Sequence, residues 1–160
     1  MNKQEIYKYL KDNHINHKTF EHEAVYTMPE LDNVYLPYLE NIAKNLFVRD
    51  DKKHNYYLIT VKGDKRVDLK EFRKKHDLRS LSFASLDDLM NILSLSPGSL
   101  TSFGLLNDIE HKVTLYLYMA FKDTIIGIHP NDNTATVYLN TQDLINIIET
   151  HGNKVIMIEI

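Results

Sequence analysis

Residues 96–108 constrain the fold most, because they form a loop that is too apolar to lie freely in solvent. The segment reads Ser-Pro-Gly-Ser-Leu-Thr-Ser-Phe-Gly-Leu-Leu-Asn-Asp, so turn-forming residues alternate with large apolar ones. The proline–glycine pair favours a tight turn, whereas Leu100, Phe103 and Leu105 need a core to pack against. We therefore expect a rigid loop that either lines a pocket or serves as a buried connection.

The composition is that of a single globular domain spanning residues 1–160. The chain has 160 residues, 43% hydrophobic and 26% charged, which is enough to bury a core. Its lack of cysteine excludes disulfides, thiolate zinc sites and a cysteine nucleophile. No apolar run approaches the roughly 20 residues of a membrane span, and the first residues are polar, so we expect a cytoplasmic protein without membrane association.

The charge is distributed unevenly along the chain. The net charge is −3, yet residues 44–79 contain 12 basic and 6 acidic side chains. This segment predicts either a cationic surface that contacts a phosphate backbone or an ordinary solvated helix face. The candidate nucleic-acid contacts within it are Lys52, Lys53, Lys65, Arg66 and Lys70.

Two hydrophobic periods alternate along the chain and predict an α+β fold. Helical spacing and capping residues predict helices at about 4–13, 28–39, 69–76, 86–93 and 142–150. Runs of β-branched and aromatic residues predict strands at about 17–22, 43–49, 56–62, 112–120, 124–128, 134–139 and 154–160. We expect a mixed, mostly antiparallel sheet flanked by helices.

Two details of this prediction are specific. Thr27 and Glu30 have the spacing of a capping box, which would start the helix that ends near Leu39. One apolar stripe at helical spacing is expected to lie in the core, namely Leu86, Leu89, Met90 and Leu93.

Three positions are candidates for chemistry. In a strand over 43–49, Lys44 shares a face with apolar residues, so its ammonium either extends past the strand end or points into a cavity. Gly98 and Gly104 allow the backbone to approach a ligand closely, or simply allow tight turns. His129 ends an apolar strand and enters a polar turn, where it is either a ligand-contacting or a structural histidine.

Several short motifs follow one another along the chain. They are Lys-Asn-Leu-Phe-Val-Arg-Asp at 44–50, Asp-Lys-Arg-Val-Asp-Leu-Lys at 64–70, Leu-Ser-Phe-Ala at 81–84, Pro-Gly-Ser-Leu-Thr at 97–101, Phe-Gly-Leu and Asn-Asp within 103–108, and His-Pro at 129–130 with Asn133 and Thr136. Together they resemble the YbaK/ProX family of freestanding prolyl-tRNA editing proteins. The Lys-Asn-Leu-Phe form is most similar to the subgroup that removes alanine from mischarged tRNA(Pro).

The resemblance implies an aminoacyl-tRNA deacylase that needs no metal or other cofactor. Its substrate would be the ester between a wrong amino acid and the 3′-terminal adenosine of tRNA(Pro), and prolyl-tRNA synthetase would be a candidate partner. By the same resemblance Lys44 is the essential residue, Asn45 recognises the substrate, and Gly98 and His129 line the acyl pocket. The substrate's own ribose hydroxyl would help to activate the attacking water.

An unperturbed lysine, with a pKa of about 10.4, is protonated at neutral pH and makes a poor general base. We therefore interpret Lys44 as an electrostatic anchor for the ribose phosphate or for charge developing on the ester oxygen. The backbone around Gly98 and Ser99 is expected to hold the acyl carbonyl or ammonium.

Acyl specificity is the least determined feature. Ala43 stands where many relatives have threonine, and Ser102 stands where they have proline, so the pocket lip and loop differ. Met28, Leu31 and Leu46 are either pocket walls or ordinary core residues. The alternatives are a Cys-tRNA(Pro) or Ser/Thr-tRNA deacylase, a non-catalytic tRNA-binding module and a generic α+β interaction domain.

Overall fold

The computed structural model describes residues 1–33 and 36–160, and for residues 31–33 it describes the backbone only. The helices are α1 (Lys3–Asp12), α2 (Leu69–Lys75), α3 (Leu86–Asp88) and α4 (Thr141–His151). The strands are β1 (His17–Glu21), β2 (Ala43–Asp50), β3 (Tyr56–Lys62), β4 (Leu81–Phe83), β5 (Val113–Tyr118), β6 (Ile125–Ile128), β7 (Ala135–Asn140) and β8 (Val155–Ile158). The predicted α+β class is confirmed.

The strands form two sheets that meet at one point. The larger sheet has the order β4-β2-β3-β5-β8, in which β2 pairs antiparallel with β3 and β4, while β5 pairs parallel with β3 and β8. The smaller sheet, β1-β7-β6, is antiparallel. A parallel bridge between Ile42 and Gly127 joins them. The pairing is mixed and mostly antiparallel, as predicted, but the β6–β7 hairpin pairs with β1 and so forms a sheet of its own.

The predicted helix over 28–39 is wrong. The chain instead forms a 3₁₀ turn at Met28–Asn33 and another at Leu39–Asn41. The Glu30 carboxylate accepts the N–H of Tyr26, one residue before the expected cap at Thr27. Tyr38 adopts a left-handed conformation with φ 53°, which interrupts any helix at that residue.

The apolar stripe of α3 is only partly buried. Leu89 and Leu93 lie in the core, but Leu86 and Met90 are 69% and 55% exposed. After Asp88 the helix widens into a π-helical turn over Leu89–Leu93. Leu86 and Met90, four residues apart, share an exposed face, whereas Leu89 and Leu93 share a buried one. The prediction of four core residues is therefore wrong.

Three buried clusters hold the elements together. The main cluster lies under α1, α4 and one face of the larger sheet, and a second lies between α2 and the opposite face. A third, formed by Val25, Leu36, Ile42 and Tyr138, lies at the bridge between the sheets and fixes the start of β2. Among residues 1–33 and 36–160, no helix has the length and apolar character needed to cross a bilayer.

Candidate active site

A cavity of about 250 Å³ opens where β2 begins. Its walls come from the segment before the first 3₁₀ turn, the start of β2, the 96–108 loop and the end of β6. The lining residues are Val25, Tyr26, Thr27, Met28, Ile42, Ala43, Lys44, Asn45, Pro97, Gly98, Leu100 and His129. The structure thus brings to one cavity the predicted site residues Lys44, Asn45, Gly98, His129 and Met28.

Lys44 is partly buried and its side chain lines this cavity. Its Nζ donates a hydrogen bond to the main-chain carbonyl of Lys65 at 2.5 Å. The ammonium therefore reaches past the strand and contributes to the cavity wall at the same time, which combines the two predicted placements. An ammonium has three N–H donors, so this contact leaves two of them for a ligand.

Asn45 connects three elements around the cavity. Its Oδ1 accepts the hydroxyl of Thr60 on β3 at 2.6 Å, and its Nδ2 donates to the carbonyl of Leu100 at 3.3 Å. Thr60 is fully buried, so its hydroxyl depends on this partner. Asn45 consequently fixes the 96–108 loop against the sheet besides lining the cavity.

The 96–108 loop is folded and largely buried, as its apolar residues predict. It consists of two 3₁₀ turns, Pro97–Ser99 and Ser102–Asn107, and the Thr101 hydroxyl between them donates to the carbonyl of His129 at 2.7 Å. Gly98 lines the cavity, whereas Ser99 is buried behind it.

The predicted ligand approach at Gly104 is not seen. A Cβ added to Gly104 would lie 2.5 Å from the Leu95 side chain, so this glycine permits core packing.

His129 is held in one tautomer. Its Nδ1 lies 2.9 Å from the carbonyl of Ala135, which can only accept, so Nδ1 carries the proton and Nε2 is an acceptor. Burial, reinforced by the nearby His22, lowers the pKa of His129 below 6.5, so the ring is neutral at neutral pH. His22 itself contacts the hydroxyl of Thr136 at 2.9 Å, which gives that motif residue a structural role.

Of the predicted wall residues, Met28 lines the cavity and Leu46 does not. Leu46 packs against the second buried cluster, under α2, because it shares a face with Val48. Leu31 lies in the 3₁₀ turn, and its side chain is outside the described part of the chain. Sequence reasoning missed Val25, Tyr26 and Ile42, since their segments carry no periodic signal before the fold brings them together.

Comparison with known proteins identifies the family of this chain. A family profile described as the aminoacyl-tRNA editing domain matches residues 22–147, a range that includes every residue lining the cavity. The chain belongs to this family. The prediction of an aminoacyl-tRNA deacylase is thereby confirmed, and the generic interaction domain is excluded.

Two relatives align with most or nearly all of the chain. The prolyl-tRNA editing protein ProX of Acetoanaerobium sticklandii is 37% identical over 99% of this chain and 97% of that protein. The prolyl-tRNA synthetase associated domain-containing protein 1 of Mus musculus is 29% identical over 90% of this chain and 88% of its own length.

Solved structures share the same fold. The hypothetical protein APE2540 superposes with a TM-score of 0.71 at 15% identity, covering 96% of this chain and 97% of its own. A candidate trans-editing enzyme for prolyl tRNA synthetase also gives 0.71, at 17% identity, covering 99% of this chain and 96% of its own.

The predicted tRNA-contacting residues of the editing domain fall into two groups. Lys65 and Arg66 directly follow β3, next to the Lys44 ammonium, and Lys70 lies in the first turn of α2. Lys52 and Lys53 lie in the turn at the other end of β2, roughly 25 Å from Lys44 at the rise of a β-strand. Of these five residues, Lys65 contacts the cavity residue Lys44 through its main-chain carbonyl, and none belongs to the cavity lining itself.

A larger cavity of about 320 Å³ lies elsewhere, against the smaller sheet. Its lining includes Phe20, Tyr38 and Tyr138 but none of the predicted site residues. Cavity size alone would therefore have selected a location without the lysine, the glycine turn or the histidine.

The buried hydroxyl of Ser102 predicts a stabilising substitution. Ser102 is fully buried, and its hydroxyl has no hydrogen-bond partner in the described structure. It is the first residue of a 3₁₀ turn and follows an extended Thr101, so proline fits its backbone. We expect Ser102→Pro to raise the free energy of unfolding by about 1 kcal/mol in urea titrations. Ser102→Ala isolates the lost hydroxyl, and a proline variant less stable than the alanine one would contradict the backbone argument.

Two partly buried histidines predict acid sensitivity. Burial lowers the pKa of both His129 and His76 below 6.5, so the unfolded chain binds more protons as the solution becomes acidic. Their stabilisation is complete above about pH 6.5 and is lost as the pH falls through the lowered values. Urea unfolding at about pH 7.5 and 5.5 measures this loss. His129→Gln should reduce this loss of stability, whereas His54→Gln, at an exposed position, should not. Equal pH dependence in the wild type and both variants would exclude a contribution from His129.

Proposed function

We propose that this editing domain, taken over residues 1–160, hydrolyses the ester of mischarged tRNA(Pro), with Ala-tRNA(Pro) as its substrate. The supporting observation is that Lys44, Gly98 and His129 line one small cavity. The identity of 37% to a prolyl-tRNA editing protein supports tRNA(Pro) as the nucleic acid.

Lys44 supplies the positive charge for the reaction. The carbonyl of Lys65 fixes the position of the ammonium, and its two remaining N–H donors are available to the ester. Negative charge develops on the acyl oxygen when water attacks, and a fixed cation in a partly buried site stabilises that charge more than it stabilises the neutral ester. Lys44 therefore lowers the barrier without exchanging a proton.

The charges of the site also orient the acyl group. The substrate's α-ammonium is repelled by the Lys44 ammonium, so the acyl group binds with its ammonium at the opposite side. There the neutral His129 offers Nε2 as an acceptor, and the backbone around Gly98 and Ser99 offers carbonyl oxygens. This arrangement places the acyl oxygen of the ester, and not the amine, beside Lys44.

The hydrolysis itself needs only water and the substrate's ribose. Water attacks the acyl carbon and loses a proton to the ribose hydroxyl next to the ester, while the acyl C–O bond breaks. The leaving ribose oxygen keeps the bonding electron pair and takes up the proton that the neighbouring hydroxyl gives up in exchange for the one from water, which releases the free amino acid and tRNA. The described residues that line the cavity include no carboxylate, which is consistent with substrate-assisted activation of water.

Apolar walls set the size of the acyl group. Val25, Met28, Ile42 and Leu100 surround the cavity, and a Cβ on Gly63 would lie 2.1 Å from the terminal carbon of Met28, so Met28 has no room to retreat towards Gly63. One methylene of misfit changes binding by only about 1–3 kcal/mol, so a proline ring has to be excluded by direct clash.

A panel of mischarged tRNAs tests the assignment. We expect alanine to be released from tRNA(Pro) at least about tenfold faster than cysteine, serine or threonine, with Pro-tRNA(Pro) left intact. Faster release of cysteine, or of serine and threonine, would identify the alternative deacylases. Binding without release of any amino acid would favour a non-catalytic module.

The basic residues mark the surface on which the tRNA body binds in this proposal. In this proposal Lys65, whose carbonyl binds the Lys44 ammonium, contacts the acceptor-end backbone together with its neighbours Arg66 and Lys70. Lys52 and Lys53 extend this surface for a longer stretch of tRNA. The proposal places the protein in the cytoplasm with prolyl-tRNA synthetase as its partner. Reversing the charge of Arg66 should weaken tRNA binding and reduce its salt dependence, whereas reversing Lys122, an exposed lysine outside this surface, should not.

A further inference from the structure

Tyr26 is an exposed aromatic residue at the mouth of the acyl cavity. It lines the cavity, yet its side chain is 67% exposed. Its main-chain N–H donates to the Glu30 carboxylate at 3.0 Å, which holds the backbone on which the ring stands. The ring lies against Gly98, because a Cβ at that position would be only 2.6 Å from Cδ1 of the tyrosine. The glycine thus leaves room for a ring beside the entrance.

Asn133 lies next to the same glycine. Its Nδ2 is 3.2 Å from the position of that missing Cβ, and its main-chain carbonyl accepts the N–H of Val25. The side chain is partly exposed, so its two N–H donors and its carbonyl acceptor are accessible. An aromatic face and a carboxamide therefore lie together at the mouth of the cavity.

We propose that Tyr26 and Asn133 form the subsite for the adenine of the 3′-terminal nucleoside, an inference that rests on the proposed function. When the acyl group fills the cavity, the ribose lies at its mouth and the base extends over the surface beside it. A base stacks on an exposed aromatic ring irrespective of sequence. A carboxamide matches the amino group and ring nitrogen on the edge of adenine, so Asn133 reads the base that Tyr26 supports.

Another exposed tyrosine provides a matched control. Tyr38 is 52% exposed but lies on the larger cavity, against the smaller sheet. Its ring packs edge-on against Tyr138, with 6.0 Å between the ring centroids. A Tyr38→Ala substitution therefore removes an exposed aromatic ring of the same kind from a place that the acyl cavity does not reach.

Two short esters test stacking directly. One is 3′-O-alanyl adenosine, and the other is the alanyl ester of a methyl riboside, which has no base. We expect the protein to prefer the adenosine ester by about tenfold in kcat/KM, chiefly through KM. Tyr26→Ala should abolish the preference by slowing the adenosine ester alone, whereas Tyr26→Phe and Tyr38→Ala should retain it.

A third substrate tests the carboxamide. The alanyl ester of purine riboside keeps the purine ring but lacks the exocyclic amino group. The protein should prefer the adenosine ester to this one, and Asn133→Ala should remove that preference while keeping the preference for a base over no base. A preference for the amino group that survives in Asn133→Ala would remove Asn133 from the subsite.

Equal slowing of all esters by Tyr26→Ala, or an unchanged preference for the base, would overturn the proposal. A binding measurement separates this result from a failure of the proposed function. The amide analogue of alanyl adenosine cannot be hydrolysed, and NMR titration compares its Kd with that of the base-free amide. If no ester is hydrolysed, the proposed function fails, but tighter binding of the adenosine amide that is lost in Tyr26→Ala would still support the subsite.

Discussion

Lys44→Ala is expected to lower kcat/KM for aminoacyl-tRNA hydrolysis by two to three orders of magnitude. Loss of one preorganised group that stabilises a developing oxyanion costs about 3–4 kcal/mol of barrier. In the proposed function the Lys44 ammonium is such a group, and the carbonyl of Lys65 holds it on the cavity wall. Single-turnover deacylation of Ala-tRNA(Pro) with enzyme in excess measures the effect on the chemical step.

Two further variants separate charge from shape at this position. Lys44→Met keeps most of the side-chain volume without the charge, so it should be as slow as the alanine variant. Lys65→Ala keeps the main-chain carbonyl that binds the Lys44 ammonium, so any loss should appear in tRNA affinity and not in the single-turnover rate. Turnover of Lys44→Ala within tenfold of the wild type, with the fold intact by circular dichroism, would disprove the electrostatic role.

Asp108→Ala should lower the free energy of unfolding by about 3 kcal/mol and Tm by roughly 10 °C. The carboxylate is 2% exposed and accepts three hydrogen bonds, from the N–H groups of Lys112 at 3.0 Å and Val113 at 2.9 Å and from the amide of Asn153 at 2.8 Å. Val113 and Asn153 are buried, so their donors would lose a partner that water cannot easily replace. Thermal and urea unfolding measure both quantities.

Asp108→Asn is the matched control for this network. It keeps one acceptor oxygen and the shape of the side chain, so it should destabilise the protein less than alanine does. Neither variant should change the single-turnover rate of the folded protein, because Asp108 lies outside the cavity lining. A variant that is slow while fully folded would contradict this purely structural role for the Asn-Asp motif.

Local patterns predicted most elements of the fold. The β2–β3 hairpin, the Asp68 cap of α2 and the end of α4 at Gly152 follow from propensity, capping and the left-handed conformation at φ 117°. The 3₁₀ turns that the structure has in place of the predicted helix over 28–39 could not be predicted, since Glu30 bonds to Tyr26 and the backbone turns at Tyr38. Such contacts depend on where neighbouring segments pack, and helical propensity is too weak to override them.

The site was predictable where single residues were chemically unusual for their position. A lysine on an apolar strand face, a glycine turn and a histidine at a strand end all line the cavity. The remaining walls could not be predicted, because Val25 and Ile42 are ordinary apolar residues until the bridge between the sheets brings them together. The prediction that Leu46 is a wall was wrong for a different reason. The alternation of side chains along β2 did not show that the cavity lies only at the start of the strand, whereas Leu46 packs in the second cluster.

The hydrogen bond from Lys44 to the carbonyl of Lys65 joins the cavity wall to the basic segment that follows β3. Residue 65 is followed by an exposed arginine, so in the proposed function a phosphate bound at Arg66 lies beside the main chain that holds the Lys44 ammonium. The contact with the nucleic acid and the position of the charge therefore depend on one short segment of main chain.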